Sequence, residues 1–287
     1  MKLTPINTGF FKLDGGAMFG VVPKKLWQKL NPPDEDNLCT WALRCLLIET
    51  DRDLVLIDTG MGEKQSEKFR SFYKPQDMVP VDEVVRQAGY SPGDVTDVLL
   101  THLHFDHVGG AVKREQGSLV PTFKKANYWV SQKQWAWALT PNARERASFH
   151  KENLEPLEQA GVLKQVSASP HFELNQTWRK YFDLKFTYGH TEAMIIPVIQ
   201  WAENSLIFCA DLLPSSYHIG SAYVMGYDVR PLISMEEKRQ LFDFADRHNS
   251  VLFLEHDPLS ACCRVKKNAE TGNYELVRTG DLSSFWS

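Results

Sequence analysis

The segment that most restricts this chain is Thr101-His102-Leu103-His104-Phe105-Asp106-His107, which follows directly on the apolar run 98–100. His102 and His104 are two residues apart, so an extended backbone turns both imidazoles to one side. Asp106 and His107 come after the chain turns, and Gly109-Gly110 permit a backbone path that side chains would block. Four ligand-type residues packed this closely cannot all reach one tetrahedral ion without strain. They suit two ions a few ångströms apart, with two histidines for one and an aspartate plus a histidine for the other. Three of the nine histidines fall in this window, which weighs against a solvated polar loop or a group of core histidines.

Elsewhere short apolar runs alternate with helical patterns. Residues 54–57 (LVLI), closed by Asp58-Thr59-Gly60, predict a buried strand ending in a turn. Val81, Val84, Val85 and Ala88 form a helix stripe, and Gly89 stands where a helix stops. Residues 98–100, 206–210 and 251–254 read as further buried strands, and 131–160 and 235–247 as helical. Strands separated by helices over the whole length predict a layered α/β fold, taken as one domain over 1–287. Three of the strands run straight into ligand-type residues, namely the 102–107 cluster, Asp211 and His256. Residues 10–33, with Gly15-Gly16, prolines and large apolar side chains but no sustained period, predict a long packed loop.

Composition narrows the function classes. Lys plus Arg number 32 against 36 Asp plus Glu, a net charge of −4, so nothing general favours nucleic acid or anionic lipid as a partner. Residues 1–9 carry no apolar core of signal-peptide length, and no apolar run approaches the ~20 residues of a membrane span. Five cysteines, an odd number that includes adjacent Cys262 and Cys263, suggest no disulfide framework. These features predict buried, reduced thiols, a cytoplasmic location and no membrane partner.

The 102–107 run resembles the HxHxDH motif of the metallo-β-lactamase superfamily, and four more segments resemble that family's landmarks in the expected order. Asp58-Thr59-Gly60 is similar to its DTG turn and Gly189-His190-Thr191 to its GHT segment. Ala210-Asp211 is similar to its strand-end aspartate, and His256 in LEHDP to its last ligand. The resemblance covers most of the chain and implies the αββα sandwich, two mixed β-sheets flanked by helices. It also implies that His102, His104 and His190 hold one ion, that Asp106, His107 and His256 hold a second, and that Asp211 bridges them. Imidazole and carboxylate without thiolate suit two divalent ions, zinc first, then iron or manganese. His104 stands where the superfamily's di-iron flavoproteins carry Glu, which argues against oxygen chemistry. Asp58 reads either as a residue that orients a ligand histidine or as the Asp of a turn before Gly60.

Two ions sharing a water lower its pKa and polarise a carbonyl or phosphoryl oxygen, so the resemblance implies a binuclear hydrolase. In it a bridging hydroxide attacks and Asp106 shuttles the proton. The segment DGGAMFGVVPK, followed by the Trp27 region and DTG, resembles the quorum-quenching lactonase branch, which also holds the methyl parathion hydrolases. The room after His256 does not match the large inserted domain of the RNA-processing branch, and residues 262–281 show no evident helical extension of the glyoxalase II kind. The resemblance therefore implies a small-molecule substrate, an N-acyl-homoserine lactone or related lactone that is ring-opened. Phe10, Phe11, Met18, Phe19 and Trp27 would then form an apolar wall for the acyl chain, or else simply pack their segment onto the core. Better-known lactonases carry a Tyr three residues after the bridging Asp; here that residue is Pro214. Tyr217 and His218 are candidates to replace it, and Tyr227 and Asp228 to line the mouth. An arylester or phosphotriester hydrolase of the methyl parathion type is the alternative enzyme, and a non-enzymatic ligand binder the alternative outside catalysis. Relatives that pair through N-terminal segments imply a homodimer. His150, His171 and His248 have no ligand-spaced neighbours.

Overall fold

A computed structural model describes residues 1–170, 172, 176–201 and 204–285; His171 lies outside them. The chain divides into two compact units, residues 1–11 with 42–168 and residues 12–41 with 169–287. The fold is mixed α/β with two mixed sheets and a small hairpin.

The first sheet holds β1 (Lys2–Asp14), β2 (Leu38–Glu49), β3 (Leu54–Ile57), β4 (Asp97–Leu99), β7 (Asn127–Ser131) and β8 (Leu163–Val166), in that spatial order; β5 (Val112–Glu115) and β6 (Ser118–Pro121) form the hairpin. β2 and β3 are antiparallel, whereas β3, β4, β7 and β8 run parallel. All four residues of β3 are buried, as a strand covered on both faces requires. The crossover from β3 to β4 carries the helix Val81–Gln87, which buries Val81, Val84 and Val85 as its stripe predicts. The helix expected over 131–160 is broken into Gln132–Leu139, a 3₁₀ turn Arg146–Ser148 and Lys151–Gln159. The break is local: Thr140 precedes Pro141, which crowds it out of the helical region, and it takes φ −130° and ψ 59°.

The second sheet runs β15 (Tyr274–Gly280), β14 (Cys262–Lys267), β13 (Val251–Phe253), β12 (Asn204–Phe208), β11 (Met194–Trp201), β10 (Phe182–Thr187), β9 (Gln176–Arg179). Only β12 and β13 are parallel, joined through the helix Pro231–Arg247, which starts earlier than the periodicity predicts, with Pro231 in its first turn. Residues 10–33 are not a loop. Residues 10–14 complete β1, and helices Gly15–Phe19 and Lys24–Trp27 follow, the first capped by Asp14, whose carboxylate accepts the Ala17 N–H at 2.8 Å. Helices this short leave no period to read.

Strand direction places the polar residues. β3 and β4 are parallel, so their carboxyl ends deliver 58–60 and 100–107 to one edge of the first sheet. In the second unit β12 and β13 end together before 209–211 and 254–256. β11 runs antiparallel to β12, so the β10–β11 turn with His190 opens on that same edge. Carboxyl ends of parallel strands are where open α/β sheets place their ligands. The five cysteines are buried and free. Among the described residues no helix is long and apolar enough to cross a membrane.

Candidate metal centre

In the first unit the chain leaves β4 extended and turns helical at Phe105–Val108, with His104 in extended conformation at the N-cap. His102 and His104 therefore sit on extended chain, Asp106 and His107 on a helical turn, and all four are buried. His102 Nε2 lies 3.1 Å from His104 Nδ1. Each imidazole spends its other nitrogen on the protein. His102 Nδ1 is 3.1 Å from the Thr101 hydroxyl, which donates to Asp58 Oδ2 at 2.6 Å. His107 Nδ1 is 3.1 Å from the same Asp58 oxygen, while Asp58 Oδ1 accepts the Thr101 N–H at 2.7 Å. His104 is turned the other way round, with Nε2 3.3 Å from Glu145 Oε1; Glu145 Oε2 accepts from Trp137 and Asn142, both at 2.7 Å. A histidine that donates one ring N–H to a fixed acceptor keeps the other nitrogen's lone pair for a metal.

The DTG turn presses onto this motif. Thr59 gives both its N–H and its hydroxyl to the His107 carbonyl at 2.8 Å, and the Gly110 N–H bonds the Gly60 carbonyl at 2.9 Å. A Cβ on Gly109 would lie 1.9 Å from the Met61 oxygen and one on Gly110 2.1 Å from the Thr59 oxygen, so only glycine allows the approach. Asp58 itself adopts φ +56°, which an Asp tolerates better than most residues.

The second unit supplies His190, Asp211 and His256, all buried. Asp211 Oδ2 is 3.1 Å from His190 Nε2, and Asp211 Oδ1 is 3.1 Å from His256 Nε2. Each carboxylate oxygen thus faces a different imidazole. Ala210, just before Asp211, is held at φ +44°, a left-handed conformation that costs a non-glycine residue about 1–2 kcal/mol. His190 Nδ1 is 2.8 Å from Asp228 Oδ1. Burial disfavours its charged form, yet Asp211 and Asp228 outweigh burial and push His190 up to about 10. The loop before His190 hangs on the helix Pro231–Arg247. Glu237 accepts the N–H groups of Tyr188 and Gly189 at 2.7 and 2.9 Å, and burial pushes its carboxyl up to about 7 in spite of them. Pro214, at the position of the lactonase tyrosine, accepts the His256 N–H at 3.0 Å through its carbonyl.

Of the other candidates, Phe10 and Phe11 belong to the first unit and Met18, Phe19, Trp27, Tyr217, His218, Tyr227 and Asp228 to the second. Phe19 is stacked between Trp27 (5.2 Å, 11°) and His218 (4.8 Å, 5°), and Met18, Phe19 and Trp27 are essentially inaccessible. His218 has Nδ1 2.8 Å from the Ser215 hydroxyl and Nε2 2.9 Å from the Met18 carbonyl; burial pushes it down to about 3, so its ring is neutral. The Tyr217 hydroxyl makes no hydrogen bond among the described residues, and burial with Asp257 nearby pushes it up to about 12. Tyr227 is 37% exposed. Asp228, considered for the mouth, holds His190 instead. Glu145 and Glu237 carry no signal in the sequence, because neither has a ligand-spaced neighbour. The donor set, imidazole and carboxylate without thiol, with the outer nitrogens of four histidines already occupied, fits divalent ions such as zinc.

Residues 44–166 match the family profile described as the metallo-beta-lactamase superfamily. Over 91 residues the chain is 32% identical to an N-acyl homoserine lactonase of Bacillus cereus, a match covering 28% of this chain. The match spans 35% of that relative, so the chain spans about a third of the length of the curated relatives it matches. A crystal structure of a probable metal-dependent hydrolase from Staphylococcus aureus has a TM-score of 0.86 at 25% identity, covering 97% of this chain and 96% of that one. AidC, a dizinc quorum-quenching lactonase solved in complex with a product, has a TM-score of 0.74 at 21% identity, covering 96% and 93%.

Proposed function

Because this chain carries a metallo-beta-lactamase superfamily domain and its fold, we propose that it is a binuclear metal-dependent hydrolase that opens N-acyl-homoserine lactones or related lactones. Asp211 carries the reading: its two oxygens face two different imidazoles at 3.1 Å each, the disposition of a carboxylate shared by two cations rather than spent on one. His102, His104 and His190 would hold one ion and Asp106, His107 and His256 the other. When bound, such a pair supplies a water acidified toward neutral pH and an electrophile for the substrate carbonyl.

The chain's own residues do the rest. Asp58, Glu145 and Asp228 fix the orientation of ligand imidazoles through their outer nitrogens. Asp106, a buried carboxylate 3.8 Å from His107 Nε2, carries the proton released by the attacking water to the ring oxygen that leaves. The acyl C–O bond of the lactone breaks, and that proton ends on the new alcohol. Of the two residues considered in place of the lactonase tyrosine, Tyr217 keeps an unpartnered hydroxyl for the substrate, whereas both ring nitrogens of His218 are committed to the protein.

The test is acid release from N-acyl-homoserine lactones of several chain lengths by protein loaded with zinc or manganese. Turnover that disappears in His102→Ala and Asp211→Asn supports the reading; no release at any chain length refutes it. Pro214 in place of the tyrosine favours a second reading, an arylester or phosphotriester hydrolase. Turnover of a chromogenic phosphotriester far above that of every lactone would select it.

A further inference from the structure

A hollow of about 500 Å³ opens in the first unit, walled by residues of the 62–64, 80–82 and 110–114 stretches and by Thr122. That is within the size range of small-molecule pockets. Three cationic side chains line it, Lys64, Lys113 and Arg114, against two carboxylates, Asp82 and Glu63. Asp82 is already spent: its Oδ2 accepts from Lys113 Nζ at 2.8 Å and has Arg86 at 3.6 Å. Glu63 is exposed and forms no ion pair among the described residues. With Lys113 matched to Asp82, Lys64 and Arg114 have only Glu63 to balance them, so the hollow keeps one positive charge in surplus.

Lys64 and Arg114 have no carboxylate within ion-pair distance among the described residues. The Lys64 ammonium donates to the carbonyls of Gly109 and Val112, the latter at 2.9 Å, and Arg114 Nη1 donates to the Gly117 carbonyl at 3.1 Å. An ammonium carries three N–H groups and a guanidinium five, so both keep donors for a ligand. Burial pushes Lys64 down to about 8; Glu152, too far for an ion pair, opposes the push and Arg114 adds to it. Thr122 gives its hydroxyl to the Gly110 carbonyl at 2.6 Å. Side chains of this one hollow therefore hold the carbonyls of 109, 110 and 112, and Lys64 is fixed before any ligand arrives. A donor already fixed loses little freedom on binding. The rest of the lining is apolar, from Pro80, Val81, Val112 and the aliphatic stems of the cations.

We propose that this hollow binds a small organic carboxylate, whose oxygens accept from Lys64 and Arg114 and whose apolar body lies along Pro80 and the cation stems. One surplus positive charge matches a monoanion, whereas a doubly charged phosphate would overshoot it. Lysine and arginine side by side with free N–H groups are the partners that charge-assisted hydrogen bonds to an oxyanion require. The inference stands apart from the lactone reading, since the lining holds none of the proposed metal ligands and belongs to the first unit alone.

The experiment is calorimetric titration of the zinc-loaded full chain with three probes. They are hexanoate, hexanamide, which has the same tail and no charge, and inorganic phosphate. Hexanoate should bind saturably at millimolar concentration and at least ~10-fold more tightly than hexanamide. Arg114→Gln, at an exposed position, should weaken hexanoate by about 5-fold with the melting temperature unmoved. Lys64→Met should weaken it by at least ~10-fold; if that variant does not fold, the Arg114→Gln result decides. His102→Ala removes a proposed metal ligand and should leave hexanoate binding as it is. Absence of saturable hexanoate binding overturns the proposal, and so does binding that ignores Arg114→Gln. Binding that disappears in His102→Ala also overturns it, because the carboxylate would then sit on the metals. Phosphate that binds more tightly than hexanoate refutes the choice of a carboxylate with an apolar body.

Discussion

Ring nitrogens decide what each histidine can do. His218, six residues beyond Asp211's neighbour Leu212, is a clamp: one nitrogen on Ser215, the other on the Met18 carbonyl, the ring flat against Phe19. Burial holds it near 3, against an ordinary 6.5. A folded chain that refuses a proton its unfolded form accepts loses stability as pH falls from 6.5 toward 3, by at most about 1.4 kcal/mol per pH unit. His218→Phe keeps the stack and removes the titration, so its denaturation midpoint should fall less steeply than the wild type's over that window. Parallel pH profiles would show that His218 is not the group responsible. His190 uses its nitrogens differently, giving one to Asp228 and turning the other toward Asp211. Asp228→Ala should release the ring and weaken metal affinity by roughly 10–100-fold in competition with a chelator. Unchanged affinity would mean that packing alone orients His190.

At the level of elements, parallel strands bring the proposed ligands to sheet edges, and the helix Pro231–Arg247 fixes the loop before His190 and the segment 218–223. From one stretch of that helix Glu237 holds the 188–189 backbone, and Lys238 Nζ donates to the carbonyls of His218, Gly220 and Tyr223, each at 2.9 Å. Those three bonds set the path of the segment that bears Tyr217 and Tyr223. Lys238→Met keeps the volume of the stem and strands three carbonyls, at about 1–3 kcal/mol for each that water cannot reach. A loss of roughly 3 kcal/mol or more in denaturant unfolding is the expected result; a loss under ~1 kcal/mol would mean that water replaces the ammonium freely. The β3–β4 edge is held by closeness instead, with Gly109 and Gly110 seated against 59–61 where no side chain fits.

Over the whole molecule, the proposed ligands run from residue 102 to residue 256, so the donor set exists only in the folded chain. A ligand that binds only the folded state stabilises it by mass action, about 2.7 kcal/mol at a hundredfold excess over its Kd. Chelation should therefore lower the melting temperature, and added zinc should restore it; a melting curve indifferent to both would leave these side chains without a metal to hold. The features legible in the amino-acid order are those set by covalent spacing. A two-residue step turns His102 and His104 to one side, a helical turn follows for Asp106 and His107, and apolar runs of strand length end in Asp58, Asp211 and His256. The unreadable ones are contacts between distant segments: Glu145 on His104, Asp228 on His190, Glu237 on the 188–189 backbone, and Phe19 sealed between Trp27 and His218. Local geometry repeats with the chain and can be counted along it, whereas a hydrogen-bond partner 38 or 48 residues away is selected only when the sheets and helices have packed.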